Sequence, residues 1–126
     1  MPGTEVRALI VDDEADMRAL MRATIRRANE GLMVAGEVTT GEEALVTWRE
    51  ERPDIVLLDH RMPGLSGLEV AERMLSEDPE QNIILFSAYL DDNVQRTANE
   101  LGIKACLPKR DVRRLPDLMW SIAEAS

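Results

Sequence analysis

The chain has 126 residues, which suits one domain and is too short for two comfortable ones; a domain of this size buries roughly two thirds of its unfolded surface and needs no disulfide or metal to fold. Its 24 acidic residues against 15 basic ones leave a net charge of −9, a balance that opposes binding to a nucleic-acid backbone. The single cysteine, Cys106, excludes an internal disulfide; no apolar run approaches the ~18 residues of a membrane span, and Met1–Glu5 lacks the regions of a signal peptide, so a cytoplasmic protein is expected.

In chain order, Ala8–Val11 is a short apolar run that reads as a buried strand. Met17, Leu20, Met21, Thr24, Ile25 and Ala28 then recur with a helical period, with Arg18, Arg22, Arg26 and Arg27 mostly on other faces. Met33–Val38 reads as a second strand. Thr40, Gly41, Glu42 and Glu43 read as a capping box opening a helix that continues through Ala44, Leu45 and Trp48. Ile55–Leu58 is the third strand, followed by a helical stripe of Leu68, Ala71 and Leu75. Ile83–Phe86 is the fourth, followed by Val94, Ala98 and Leu101. Lys104–Leu107 is the fifth, and Leu115, Leu118, Met119 and Ile122 make the last stripe. Five strands alternating with five helices imply right-handed βαβ units, hence a three-layer, doubly wound α/β domain with a parallel sheet. There is no repeat and no Pro/Gly/Ser linker, so residues 1–126 are expected to form one domain without a DNA-binding or catalytic output domain.

Ligands of open α/β sheets sit beyond the carboxyl ends of the strands. The residues there are Asp12, Asp13 and Glu14 after the first strand, Asp59 after the third, Ser87 and Ala88 after the fourth, and Pro108 and Lys109 after the fifth. Neighbouring strands lie about 4.8 Å apart, so adjacency of the first and third would bring Asp59 close to Asp12 and Asp13. Clustered carboxylates take up protons or recruit a cation. The donors are all oxygens, which favours a hard ion such as Mg²⁺. Three carboxylates, one divalent ion and the Lys109 ammonium sum formally to zero, so a phosphoryl group could approach. A carboxylate is a competent nucleophile toward phosphorus, and the Ser87 hydroxyl could hold a phosphoryl oxygen.

These residues, taken together, resemble the receiver domains of two-component response regulators over the whole chain. The marks are Asp12-Asp13-Glu14, the segment running from Asp59-His60-Arg61-Met62-Pro63-Gly64 to Gly67-Leu68-Glu69, Ser87-Ala88, and Leu107-Pro108-Lys109. The resemblance implies a flavodoxin-like strand order 2-1-3-4-5. It implies that Asp59 is the phosphoacceptor, that Asp13, Asp59 and the backbone carbonyl of Arg61 ligate Mg²⁺, and that Asp12 holds metal-bound water. Ser87 and Lys109 become the phosphate-contacting hydroxyl and ammonium. A sensor histidine kinase or phosphotransfer protein is the implied donor, and the only catalysis is that of the domain's own phosphorylation and dephosphorylation. The implied reporting surface, used for a homodimer or an output partner, is formed by the fourth helix, fifth strand and fifth helix, with Arg96, Lys104, Arg110, Arg113 and Arg114. The family usually carries Tyr or Phe three residues before the lysine; here that position is Cys106, so an aromatic reporter is not available there. Many relatives also have Pro directly after the lysine, whereas here Arg110 follows it and Pro108 precedes it.

Each residue also has a plain reading. Asp12 and Asp13 suit a helix N-terminus, Pro63-Gly64 suits a loop, Ser87 could cap a turn, His60 reads as a solvated loop residue and Cys106 as a small core hydrophobe. Only two of the 15 basic residues are lysines, which makes Lys109 at the site edge less casual. Other functions on this fold are a flavin carrier, an aspartyl-intermediate phosphatase and a protein-binding platform that does not use phosphorylation. The first would need a phosphate loop where Asp12–Glu14 stands. The second commonly has an Asp two residues after the nucleophile, where this chain has Arg61. The third leaves the acidic pocket without a purpose.

Overall fold

A computed structural model describes residues 5–28 and 31–125. The elements are β1 (Val6–Val11), α1 (Ala15–Ala28), β2 (Leu32–Val38), α2 (Gly41–Glu51), β3 (Ile55–Leu58), α3 (Gly67–Glu77), β4 (Asn82–Ser87), α4 (Asp92–Leu101), β5 (Ala105–Pro108) and α5 (Leu115–Glu124), with a 3₁₀ segment over Lys109–Arg114. The strands form one parallel sheet in the order β2-β1-β3-β4-β5, as the resemblance implies.

The central strands are buried on both faces, which is why their sequences are continuous apolar runs. Side chains still alternate. Leu9, Val11, Val56, Leu58, Ile83 and Leu85 point into a cluster closed by α2, α3 and Ala98 of α4. Ala8, Ile10, Ile55, Leu57, Ile84 and Phe86 point the other way, against Met21 and Ile25 of α1 and Leu115 and Met119 of α5. The sheet therefore sits between two helical layers, each burying apolar surface at roughly 25 cal/mol per Å².

Three sequence expectations shift. Leu20 is 44 % exposed, so α1 buries a narrower arc than its stripe suggests, centred on Met21 and Ile25; the Thr24 hydroxyl donates to the Leu20 carbonyl of its own helix. The last strand runs Ala105–Pro108, with Lys104 outside it and exposed. At α2, the Thr40 hydroxyl accepts from the Glu43 N–H at 3.1 Å, but the Glu43 carboxylate turns to the N–H and hydroxyl of Thr39, so only half of the capping box forms. A complete box opens α3 instead. The Ser66 hydroxyl accepts from the Glu69 N–H, and the Glu69 carboxylate accepts from the Ser66 N–H at 2.9 Å.

Candidate functional site

The carboxyl edge of the sheet positions the acids through the strand ladder itself. The Asp12 N–H donates to the Val38 carbonyl at 3.1 Å, and the Asp59 N–H donates to the Val11 carbonyl at 2.9 Å. Each acid is thus the first residue beyond a central strand, with its backbone still held by the neighbouring strand. Asp12 is fully buried and Asp59 nearly so. The loop after Asp59 closes against α3 through the Gly67 N–H, which donates to the His60 carbonyl at 2.8 Å. A Cβ at Gly67 would overlap the Asp59 carbonyl and lie 2.7 Å from His60 Cα, so this close approach requires glycine.

Lys109 enters from the other side of the site. Its ammonium, with the side chain only 9 % exposed, lies 2.8 Å from Asp12 Oδ2, 3.1 Å from Glu14 Oε1 and 3.3 Å from Asp59 Oδ2. The Asp12 contact is an ion pair not aligned as a hydrogen bond. Asp12 Oδ1 accepts from the Glu14 N–H at 2.9 Å, which turns the chain back toward the pocket and brings the Glu14 carboxylate with it. The ligand atoms of Asp12, Glu14 and Asp59 consequently lie within 4.8 Å of one another. Glu14 is the residue that sequence reasoning left without a role; its signal was its place in a run of three acids at a strand end. Asp13 is exposed and lines the mouth of a cleft of about 340 Å³, together with Glu14, Asp59, Arg61, Ala88, Tyr89 and Lys109.

Charge in this pocket is perturbed as the geometry requires. Burial first, then the neighbouring Asp12 charge, raises the Asp59 carboxyl from 3.8 to about 6, against the opposing pull of Lys109. Burial pushes the Lys109 ammonium down, but Asp12, Asp59 and Glu14 outweigh it and carry the group well above the ordinary lysine value. All-oxygen donors around a surplus of carboxylate charge fit a hard divalent cation such as Mg²⁺, and offer nothing to a metal that prefers nitrogen or sulfur.

The remaining sequence-predicted residues fall as follows. Ser87 is buried at the end of β4, paired in the ladder with Pro108, the residue before Lys109. Its hydroxyl accepts from the Tyr89 N–H at 3.2 Å. The Arg61 guanidinium sits 4.1 Å from the centroid of the Tyr89 ring, a cation–π stack across the cleft mouth that the sequence did not disclose. His60, read as solvated, is half-buried. Its Nδ1 has no partner among the described residues, and burial followed by the Arg61 charge lowers its pKa. Cys106 is half-buried against the cluster closed by α2 and α3, and burial raises its thiol pKa, the behaviour of a packing residue rather than a reactive thiolate. A roomier cleft of about 460 Å³ opens between the C-terminal ends of α2 and α3, where Trp48, Arg49, Arg52, Glu77 and Gln81 contribute. Of its two lining carboxylates, Glu77 is paired with Arg49 at 2.8 Å, and Asp78 is the other.

Comparisons with known proteins agree with this fold. The family model for the response regulator receiver domain matches residues 8–119. The chain is 36 % identical over 114 residues to the chemotaxis protein CheY of Thermotoga maritima, covering 86 % of this chain and 93 % of that one. It is 37 % identical over 90 residues to the response regulator GacA of Pseudomonas viridiflava, covering 69 % of this chain and 40 % of GacA. Among solved structures, the signal receiver domain of NarL from Mycobacterium tuberculosis superposes with a TM-score of 0.89 at 27 % identity, covering 97 % of this chain and 98 % of that one.

Proposed function

Because the chain belongs to the response regulator receiver domain family, we propose that it accepts a phosphoryl group on Asp59 and passes the signal on through protein contacts. The donor is a phosphohistidine on a sensor kinase or phosphotransfer protein. An Asp59 carboxylate oxygen bonds to phosphorus as the P–N bond to the donor breaks, and the electron pair returns to the imidazole nitrogen, which takes up a proton. The observation that carries this reading is the nearly buried Lys109 ammonium held within 3.3 Å of three carboxylates.

Lys109 neutralises charge that would otherwise repel the donor, and it is positioned to stay with the transferred group. Asp12, Asp13 and Asp59, with the Arg61 backbone carbonyl, would hold Mg²⁺; Glu14, whose carboxylate lies with those of Asp12 and Asp59, is a further oxygen donor. When bound, such an ion would supply neutralisation of charge on the transferring phosphoryl group. The Ser87 hydroxyl, now engaged by the Tyr89 N–H, turns to a phosphoryl oxygen. The domain has no separate substrate and catalyses only its own phosphorylation and dephosphorylation. Its outward surface is α4, β5 and α5, through which it pairs with a second copy or an output partner. Incubation with acetyl phosphate and Mg²⁺, read by intact mass, is expected to add one phosphoryl group, lost in Asp59→Asn and after chelation. An adduct that persists in Asp59→Asn overturns the assignment.

A further inference from the structure

Two loops flank Asp59, residues 60–66 before α3 and residues 88–91 before α4. They are joined at the cleft mouth by Arg61, whose guanidinium lies over the ring of Tyr89. Both residues are exposed, Tyr89 at 57 %. Arg61 and Lys109 are the two cationic residues that line this cleft among the described residues, and Lys109 is already committed to Asp12, Glu14 and Asp59. Arg61 is therefore the cation left to answer any new negative charge at the mouth.

We propose that the Arg61–Tyr89 stack is a charge-operated latch: a phosphoryl group on Asp59 draws the guanidinium off the ring and frees Tyr89. This rests on the phosphoacceptor reading of Asp59. The competition favours the phosphoryl group. An exposed cation–π contact is weak, whereas a hydrogen bond between ionised partners is about twice as strong as a neutral one, and the guanidinium fork fits phosphoryl oxygens in pairs.

Release travels along the chain. The Tyr89 N–H is bonded to the Ser87 hydroxyl, so a Ser87 that turns toward phosphate gives up the same residue from the other side. Tyr89 is followed by Leu90, whose carbonyl accepts from the Gln95 side chain, and by Asp91, whose carboxylate caps α4 through the Val94 N–H at 2.8 Å. Tyr89 thus lies between the phosphorylated pocket and the first turn of α4. It supplies at this position the aromatic element that Cys106 cannot.

Tyr89 is the chain's one tyrosine, so ring-labelled tyrosine gives a single set of NMR signals that needs no assignment. Beryllofluoride with Mg²⁺ serves as the phosphoryl mimic, and its bound fluorine signal reports occupancy separately. Arg61→Gln keeps the backbone carbonyl and removes the guanidinium from an exposed position. The expected result is that occupancy moves the wild-type ring signal toward its position in unliganded Arg61→Gln, while in that variant, titrated with more mimic to the same bound-fluorine occupancy, the ring signal hardly moves. Bound fluorine with an unmoved ring, or equal movement in both proteins, overturns the latch and leaves the phosphoacceptor reading standing. No bound fluorine in the wild type removes both.

Discussion

Asp59→Asn is expected to stabilise the protein at neutral pH while abolishing phosphoryl uptake. The native carboxyl is raised from 3.8 to about 6 by burial and by Asp12. Between those values the folded state holds a proton that the unfolded state has released, so stability falls as pH rises through the window and the full penalty is present above it. About two pKa units at about 1.4 kcal/mol each set a ceiling of roughly 3 kcal/mol. The value of about 6 already includes the opposing pull of Lys109; the cleft is open to solvent, and screening leaves a gain of about 1–2 kcal/mol. The substituted amide carries no charge at any pH, so the gain belongs to the ionised wild type and fades as pH falls toward 4. Urea unfolding of both proteins in the presence of a chelator, at pH 7.5 and pH 4, measures this directly. A variant less stable than wild type at pH 7.5, or an equal gain at both pH values, refutes the electrostatic account.

Lys109→Met strips the common partner from Asp12, Glu14 and Asp59, and is expected to cost about 3 kcal/mol in chelator by urea unfolding; added Mg²⁺ should recover part of that loss. Gly67→Ala drives a methyl group into the Asp59 carbonyl and is expected to cost about 2–3 kcal/mol by thermal unfolding, with slower acetyl phosphate labelling because the shifted backbone carries Asp59. Ser66→Ala removes the hydroxyl half of the box at α3 and should cost about 1 kcal/mol in the same assay. The corresponding Thr40→Ala leaves Glu43 bonded to Thr39 and should cost no more.

The sheet is legible in the sequence because Ile55–Leu58 and Ile83–Phe86 are buried on both faces, and every position must be apolar. The acidic edge is legible for a related reason. Asp12 and Asp59 break those runs at the first residue beyond the strand, where only a polar site could tolerate them. Boundaries fade where burial is one-sided. In β5 only Leu107 is fully buried, so neither Lys104 nor Pro108 marks an end by its polarity alone. Helix α1 misleads because a run of hydrophobes at helical spacing does not reveal how wide an arc the sheet covers, and Leu20 falls just outside it. Glu14 and the Arg61–Tyr89 stack escape for another reason. They arise from a turn and from a contact between two loops, and neither leaves a period in the chain.

The amides of Asp12 and Asp59 are bonded into the strand ladder, whereas Glu14, Arg61 and Tyr89 sit on loops. The pocket thus has a stiff floor and a compliant rim. Hydrogen exchange at the two aspartate amides should approach the slow rate of global opening, while the loop residues exchange through local motion. Work done on the rim by an arriving charge is spent on displacing loops rather than on deforming the sheet. On the phosphoacceptor reading proposed above, Asp59 therefore keeps one backbone position while the loops around it move.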